Sequence, residues 1–121
     1  MNLLDHVRTA ARANRLANHR LHSAMLTLAP GEFEAVRSGF FPSVAGTLNH
    51  LLAVDLYYIA ALHREADMVA QYERFVPCRD VAELAERQRA SDERLIAFVD
   101  SLGADDLSAQ VVMDRGKTRQ V

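Results

Sequence analysis

The residues with the clearest capacity for chemistry lie in the stretch 40–62, which reads FFPSVAGTLNHLLAVDLYYIAAL. Apart from the hydroxyls of Tyr57 and Tyr58, its only ionisable groups are His50 and Asp55. A helix that is apolar on nearly all sides belongs inside a bundle or in an interface, so an imidazole on it needs a partner. His50 is therefore either a metal ligand, oriented through its second ring nitrogen, or a histidine satisfied by hydrogen bonds inside a bundle. Spacing alone favours the second interpretation, because a lone helical histidine is a weak signal for metal.

Asp55 follows His50 by five residues. That spacing is roughly 140° around a helix, so the two side chains do not share a face. We expect Asp55 to be a buried structural acceptor for a Tyr or Arg of the first helix rather than a metal ligand.

Three other side chains have chemistry to consider. His19 and His22 are three residues apart and could chelate a metal from one helix, although surface or boundary histidines show the same spacing, with His19 facing solvent. Cys78 lies next to Arg79, a neighbour that favours a reactive thiolate. The alternative for Cys78 is a free, partly exposed cysteine without a function.

Size and composition restrict the class of protein. A chain of 121 residues is predicted to form a single domain, residues 1–121. A net charge of −2 without a Lys/Arg cluster argues against nucleic acid binding. The apolar stretch is interrupted by Gly46, Asn49, His50 and Asp55, which argues against a membrane span, and Asp5 interrupts any secretory signal. The single cysteine cannot form an internal disulfide, which fits a cytoplasmic protein.

The first helix is predicted over Leu3–Leu28, where small and apolar residues recur at bundle spacing. Asn14 and Asn18 fall on the same seam. Buried amides must find hydrogen-bond partners, so this pair either fixes the register of the bundle or lines a polar pocket inside it. Pro30 and Gly31 end the helix.

Ser43 is the predicted N-cap of the second helix, which we expect to run to about Asp67. Asp80 with Glu83 predicts the start of a third helix. Its predicted inward positions follow bundle spacing and are Val81, Leu84, Gln88, Ser91, Leu95, Phe98 and Leu102. The opposite, solvated face is predicted to carry Glu86, Arg87, Arg89, Asp92, Glu93 and Arg94. A short strand over Gln110–Met113 and a turn over 114–117 follow.

Three amphipathic helices with short connections predict an antiparallel up-down bundle. The second helix is apolar around its whole circumference, and two neighbours cannot cover it. We therefore expect either a fourth helix outside this sequence or a second subunit to cover the remaining face.

Several motifs carry a family resemblance. The stretch 46–55, GTLNHLLAVD, resembles the second-helix signature of the DinB/YfiT-like superfamily. The stretch 14–18, NRLAN, resembles the first-helix motif of that family, with Leu16 where a Trp is common. The stretch 83–102 is similar to the third helix of the family, and the turn around Gly116 is similar to the hairpin that precedes its fourth helix.

This resemblance implies an all-α bundle of the DinB/YfiT-like four-helix type, commonly dimeric, with a divalent metal held by three histidines. One ligand comes from the second helix, where His50 is the counterpart, and two come from a His-x-x-x-His pair on the fourth. The chain ends at Val121, before that helix would begin. We therefore expect three long helices, a C-terminal hairpin-like segment and an incomplete nickel or zinc site at His50.

Two functions are compatible with these features. The first is a DinB-like divalent-metal-binding protein related to thiol-dependent transferases or isomerases, in which the metal holds a low-molecular-weight thiol or water. Asn14 and Asn18 would then line the bundle interior beside the metal. The second is a non-catalytic helical module that has lost the metal site and pairs with another copy through an apolar groove. The expected partners are a second copy, as a homodimer, and a small-molecule or thiol ligand, with no nucleic acid and no membrane.

Overall fold

A computed structural model of the chain describes residues 2–111, 113–114 and 119–120. The helices within these residues are α1 (Leu3–Met25), α2 (Val44–Leu62), α3 (Met68–Glu73) and α4 (Val81–Asp100), and a 3₁₀ turn follows at Ala104–Ser108. Strands β1 (Met113–Asp114) and β2 (Arg119–Gln120) pair antiparallel. The predicted all-α bundle is therefore confirmed. Most of the predicted turn at 114–117 lies outside the described residues.

The starts of α2 and α4 are encoded locally. The Ser43 hydroxyl accepts a hydrogen bond from the N–H of Gly46 at 2.9 Å, and the Asp80 carboxylate accepts one from the N–H of Glu83 at 2.8 Å. Each bond satisfies one of the main-chain donors that a helix leaves unpaired in its first turn. Both predicted N-caps are confirmed.

The end of α2 differs from the prediction, because the helix stops at Leu62 instead of continuing to Asp67. Arg64 takes a left-handed backbone conformation with φ of 57°. The N–H groups of Arg64 and Glu65 then donate to carbonyl oxygens of the last helical turn at 2.9 and 3.0 Å, in the pattern of a Schellman motif. The chain reverses there and forms the short helix α3, which the sequence analysis did not predict.

The helix α4 occupies the middle of the arrangement, because it packs against both α1 and α2, while α2 also packs against α3. Gln88 and Ser91 are buried as predicted. Asp92, predicted on the solvated face, is instead only 2% exposed, and Ile96 and Val99 are buried with it. A helix with neighbours on two sides buries a wider arc than a single seam, which explains the error.

The main core joins α2 to α4. Leu52 and Leu84 are the largest fully buried side chains, and burying each contributes about 1.5 to 3 kcal/mol. Phe33, Leu48 and Cys78 complete this cluster.

One face of α2 is partly exposed to solvent. Leu51 is 48% exposed and Tyr58, seven residues further on the same face, is 42% exposed. Across from them Leu21 of α1 is 37% exposed. We call the surface formed by Leu21, Leu51 and Tyr58 the open apolar face. Among the described helices, none combines the length and the apolar character needed to cross a membrane.

Candidate functional site

His50 lies half-buried in the second turn of α2. The ring of Phe41 packs against its imidazole, with 4.6 Å between ring centroids and 30° between ring planes. His50 lines a pocket of about 620 Å³ together with Tyr72, Phe75 and Arg79. Its imidazole makes no hydrogen bond with any described residue. Both ring nitrogens are therefore free to meet water or a ligand in this pocket.

The residues around His50 do not complete a metal site. In the part of the chain that the structure describes, no three His, Cys, Asp or Glu side chains lie close enough together to hold a metal ion. Glu34 and Cys78 line the same pocket, but the Cys78 sulfur accepts a hydrogen bond from Arg87 Nη1 at 3.4 Å. Zinc and nickel sites normally take three or more protein ligands. The described donor set does not fit a bound metal without further ligands.

Cys78 is a packing residue rather than the partly exposed thiol of the sequence analysis. It is 2% exposed, and its cationic contact is Arg87, not the neighbouring Arg79. Asn49 ties its main chain to α2: Nδ2 of Asn49 donates to the Cys78 carbonyl at 2.9 Å, and Oδ1 accepts from the Cys78 N–H at 2.6 Å. This role of Asn49 was not among the predictions from sequence, although an amide next to His50 in an apolar helix was a signal for it.

A second polar site lies between α1, α2 and α4. The Asp92 carboxylate accepts hydrogen bonds from Nδ2 of Asn14 at 3.2 Å, from Nδ2 of Asn18 at 3.0 and 3.2 Å, and from Nε2 of Gln88 at 3.1 Å. Nε2 of Gln88 also donates to Asp55 Oδ2 at 2.9 Å. We call these five residues the amide–carboxylate network. It connects all three long helices through side chains.

Asp55 is a hydrogen-bond acceptor, as predicted, but its donor is Gln88 of α4 rather than a residue of the first helix. Burial raises the pKa of Asp55, the hydrogen bond from Gln88 opposes that rise, and the nearby Asp92 carboxylate adds to it. Asp92 is the residue of this site that sequence analysis missed. A carboxylate four residues from an inward Gln88 was the available signal, since that spacing places both on one side of a helix.

The two histidines of α1 differ in their exposure to solvent. His19 is exposed, as predicted, whereas His22 is 6% exposed and is not a surface residue. Burial lowers the pKa of His22, the Asp92 carboxylate opposes that shift, and His19 reinforces it. His22 is therefore held in its neutral form more strongly than a free histidine.

His50 and the amide–carboxylate network lie on different sides of α2. A cavity of about 190 Å³ is lined by Asn14, Asn18 and Asp55, whereas the pocket of His50 lies toward α3 and the segment before α4. The predicted placement of Asn14 and Asn18 beside a His50 metal is therefore wrong. The roughly 140° between His50 and Asp55 on α2 accounts for the separation.

Comparison with known proteins gives one result for this chain. A family model described as the DinB superfamily matches residues 13–121. Neither a curated protein nor a solved structure gives a match.

Proposed function

Because the chain belongs to the DinB superfamily, we propose that it is a divalent-metal-binding protein in which His50 supplies the ligand from α2. The observation that carries this proposal is the half-buried imidazole of His50, which lines a pocket and makes no hydrogen bond with a described residue. Neutral imidazole nitrogens are preferred ligands of zinc and nickel. The proposal requires further ligands, from a second copy or from a segment outside the described residues.

The pocket beside His50 has the features of a small-molecule site. Tyr72 and Phe75 give it apolar walls, and Arg79 gives it a cationic group beside the carboxylate of Glu34. Such a combination suits a ligand with an apolar part and a carboxylate, as many low-molecular-weight thiols have. We propose this pocket as the place where the substrate of a thiol-dependent transferase or isomerase would bind.

Metal binding by matched variants tests the proposal. Zinc and nickel would be titrated calorimetrically into the 121-residue chain, into a version extended at its C-terminus, and into His50→Ala in each. His6→Ala removes an exposed histidine of α1 and is the matched control. We expect His50→Ala to lower the affinity and His6→Ala to leave it unchanged. Strong stoichiometric binding that survives His50→Ala would contradict the assignment and would point to His19 and His22.

A second candidate function is a non-catalytic interaction module that forms a homodimer. The open apolar face favours it, since Leu51 and Tyr58 are both more than two-fifths exposed on one side of α2. Exposed apolar patches on soluble proteins mark interaction surfaces.

Sedimentation velocity at micromolar concentration tests the dimer. We expect Leu51→Glu to shift the chain toward monomer, because a carboxylate would be desolvated in the interface. Val36→Glu is the control, because Val36 is an exposed apolar residue outside the long helices. A compact monomer for the unchanged chain would rule out this function.

A further inference from the structure

We propose that the cavity between α1, α2 and α4 binds a small organic ammonium ion. The cavity has a volume of about 190 Å³, and its polar lining consists of Asn14, Asn18, His22, Asp55 and Gln88. It lies on the other side of α2 from the pocket of His50, so the proposal is independent of metal binding.

The cavity offers several hydrogen-bond acceptors. The side-chain nitrogens of Asn14, Asn18 and Gln88 all donate to the carboxylates of Asp55 and Asp92. Since an amide carries its oxygen on the other side from its nitrogen, the three carbonyl oxygens are left to face other groups. None of these oxygens is hydrogen-bonded to a described residue, and none is sealed from solvent without a partner. They are therefore accessible to a ligand that donates hydrogen bonds.

The charge of the cavity points to a cation. Asp55 uses Oδ2 to accept from Gln88, and within the described residues its second oxygen has no hydrogen-bond partner. The described lining includes no Lys or Arg. A half-buried carboxylate without a cationic partner is costly, and a bound ammonium group would offset that cost.

His22 is an independent observation that points to the same ligand. Its side chain lines the cavity and is more than nine-tenths buried, and its ring makes no hydrogen bond with any described residue. A neutral imidazole presents one acceptor nitrogen, and among the described residues the ring nitrogens of His22 are not sealed from solvent. An ammonium N–H could therefore reach this acceptor and donate to it.

The remaining lining selects the size and character of the ligand. Leu21, Leu48 and Leu51 add an apolar wall that fits a short alkyl chain. The volume corresponds to the space of about six water molecules in the liquid. A primary ammonium with a chain of a few carbons combines three N–H donors, one positive charge and a matching apolar part.

The test is a calorimetric titration of the full purified chain with n-butylammonium chloride. Two further compounds test the features of n-butylammonium one at a time. The first, n-butanol, has the same alkyl chain without the charge, and the second, tetramethylammonium, has the charge without an N–H donor. We expect saturable binding of n-butylammonium, and binding at least about tenfold weaker for each of the other probes, because a hydrogen bond to a charged group contributes at least that much.

Two substitutions locate the site. Asp55→Asn keeps the shape and the bond from Gln88 but removes the charge, so we expect it to weaken n-butylammonium binding at least about tenfold. Asp105→Asn removes a charge from an exposed residue of the 3₁₀ turn and should leave binding unchanged. Leu51→Trp fills the cavity from a half-exposed position and should abolish binding while the helix content measured by circular dichroism stays the same.

The proposal would be overturned by any of three results: no saturable binding of n-butylammonium, equal affinity for n-butanol, or unchanged affinity in a folded Asp55→Asn. If Asp55→Asn does not fold, unchanged affinity in Leu51→Trp overturns it instead. Zinc binding measured on the same samples should be unaffected by Asp55→Asn, which keeps this test separate from that of His50.

Discussion

Substitution of Asp92 by Ala tests whether the amide–carboxylate network stabilises the bundle. Asp92 is 2% exposed, and its carboxylate is the acceptor for side-chain amides of α1 and α4. Asp92→Ala leaves Asn14 and Asn18 without their acceptor, whereas Gln88 keeps its bond to Asp55. The substitution therefore weakens the polar connection between α1 and α4 and leaves the one between α2 and α4 in place.

The expected loss follows from the two orphaned amides. A hydrogen bond to a charged group contributes about 1.5 to 3 kcal/mol. Water can reach the half-buried Asn14 and Asn18, and the substitution also removes the cost of burying the Asp92 charge. These two effects reduce the expected loss in the free energy of unfolding to about 2 to 4 kcal/mol, a large share of the total for a domain of this size.

Urea unfolding followed by circular dichroism at 222 nm measures this loss. An unchanged slope of the free energy of unfolding against urea concentration would show that the unfolded states of the two chains are comparable. Glu93→Ala is the matched control, because Glu93 is the next residue and its pair with Arg15 at 2.9 Å is half exposed. An exposed pair of this kind contributes at most about 1 kcal/mol. If Asp92→Ala lost no more stability than Glu93→Ala, the network would not be a source of stability. A double substitution, Asn18→Leu with Asp92→Leu, should recover part of the loss, because only Asn14 is then left without its acceptor.

Three further predictions concern single side chains. The pKa of His22 lies below its ordinary value of 6.5 in the folded chain, so the unfolded chain takes up the proton first as the pH falls through that value. Stability should therefore decrease as the pH falls below about 6.5, and His22→Gln should flatten that dependence in urea titrations at each pH. Ser91 Oγ is the one buried side-chain polar atom of the described residues without a hydrogen bond, so Ser91→Ala should leave the melting temperature unchanged or raise it. A lower melting temperature would reveal a partner for that hydroxyl. Asp80→Ala removes the N-cap of α4 and should cost about 1 kcal/mol in urea unfolding, whereas Asp80→Asn, which can still cap, should cost less.

The parts of the fold that sequence predicted correctly are those encoded by neighbouring residues. The three long helices follow from apolar spacing, and the caps at Ser43 and Asp80 follow from side chains that bond within one turn. The early end of α2 could not be predicted, because the left-handed position is held by Arg64, and nothing in that side chain indicates the conformation as a Gly would. The helix α3 has six residues, too few to show a helical period.

The site was less predictable, because it depends on which helices are neighbours. Burial of Asp92 requires α4 to lie between α1 and α2, a fact of tertiary packing that the pattern of α4 alone does not contain. The separation of His50 from Asn14 and Asn18 has the same origin. The sequence predicted that His50, Asn14 and Asn18 all lie in the bundle interior. However, α2 has two sides that face different neighbours, and the family resemblance did not distinguish these two sides.

The packing of α1 against α4 affects how the chain folds during its synthesis. The hydrogen bonds that join these helices connect residues 74 to 91 positions apart, and they include the bond from Arg8 to the Val99 carbonyl at 3.3 Å. Closing so long a loop carries an entropic cost that must be met before the contacts form. During synthesis, α1 leaves the ribosome first, and the hydrogen-bond acceptors for its side chains lie in α4, which is synthesised only after most of the chain. A nascent chain arrested before residue 80 should therefore hold α1 undocked, open to chaperones and proteases until the α4 segment emerges.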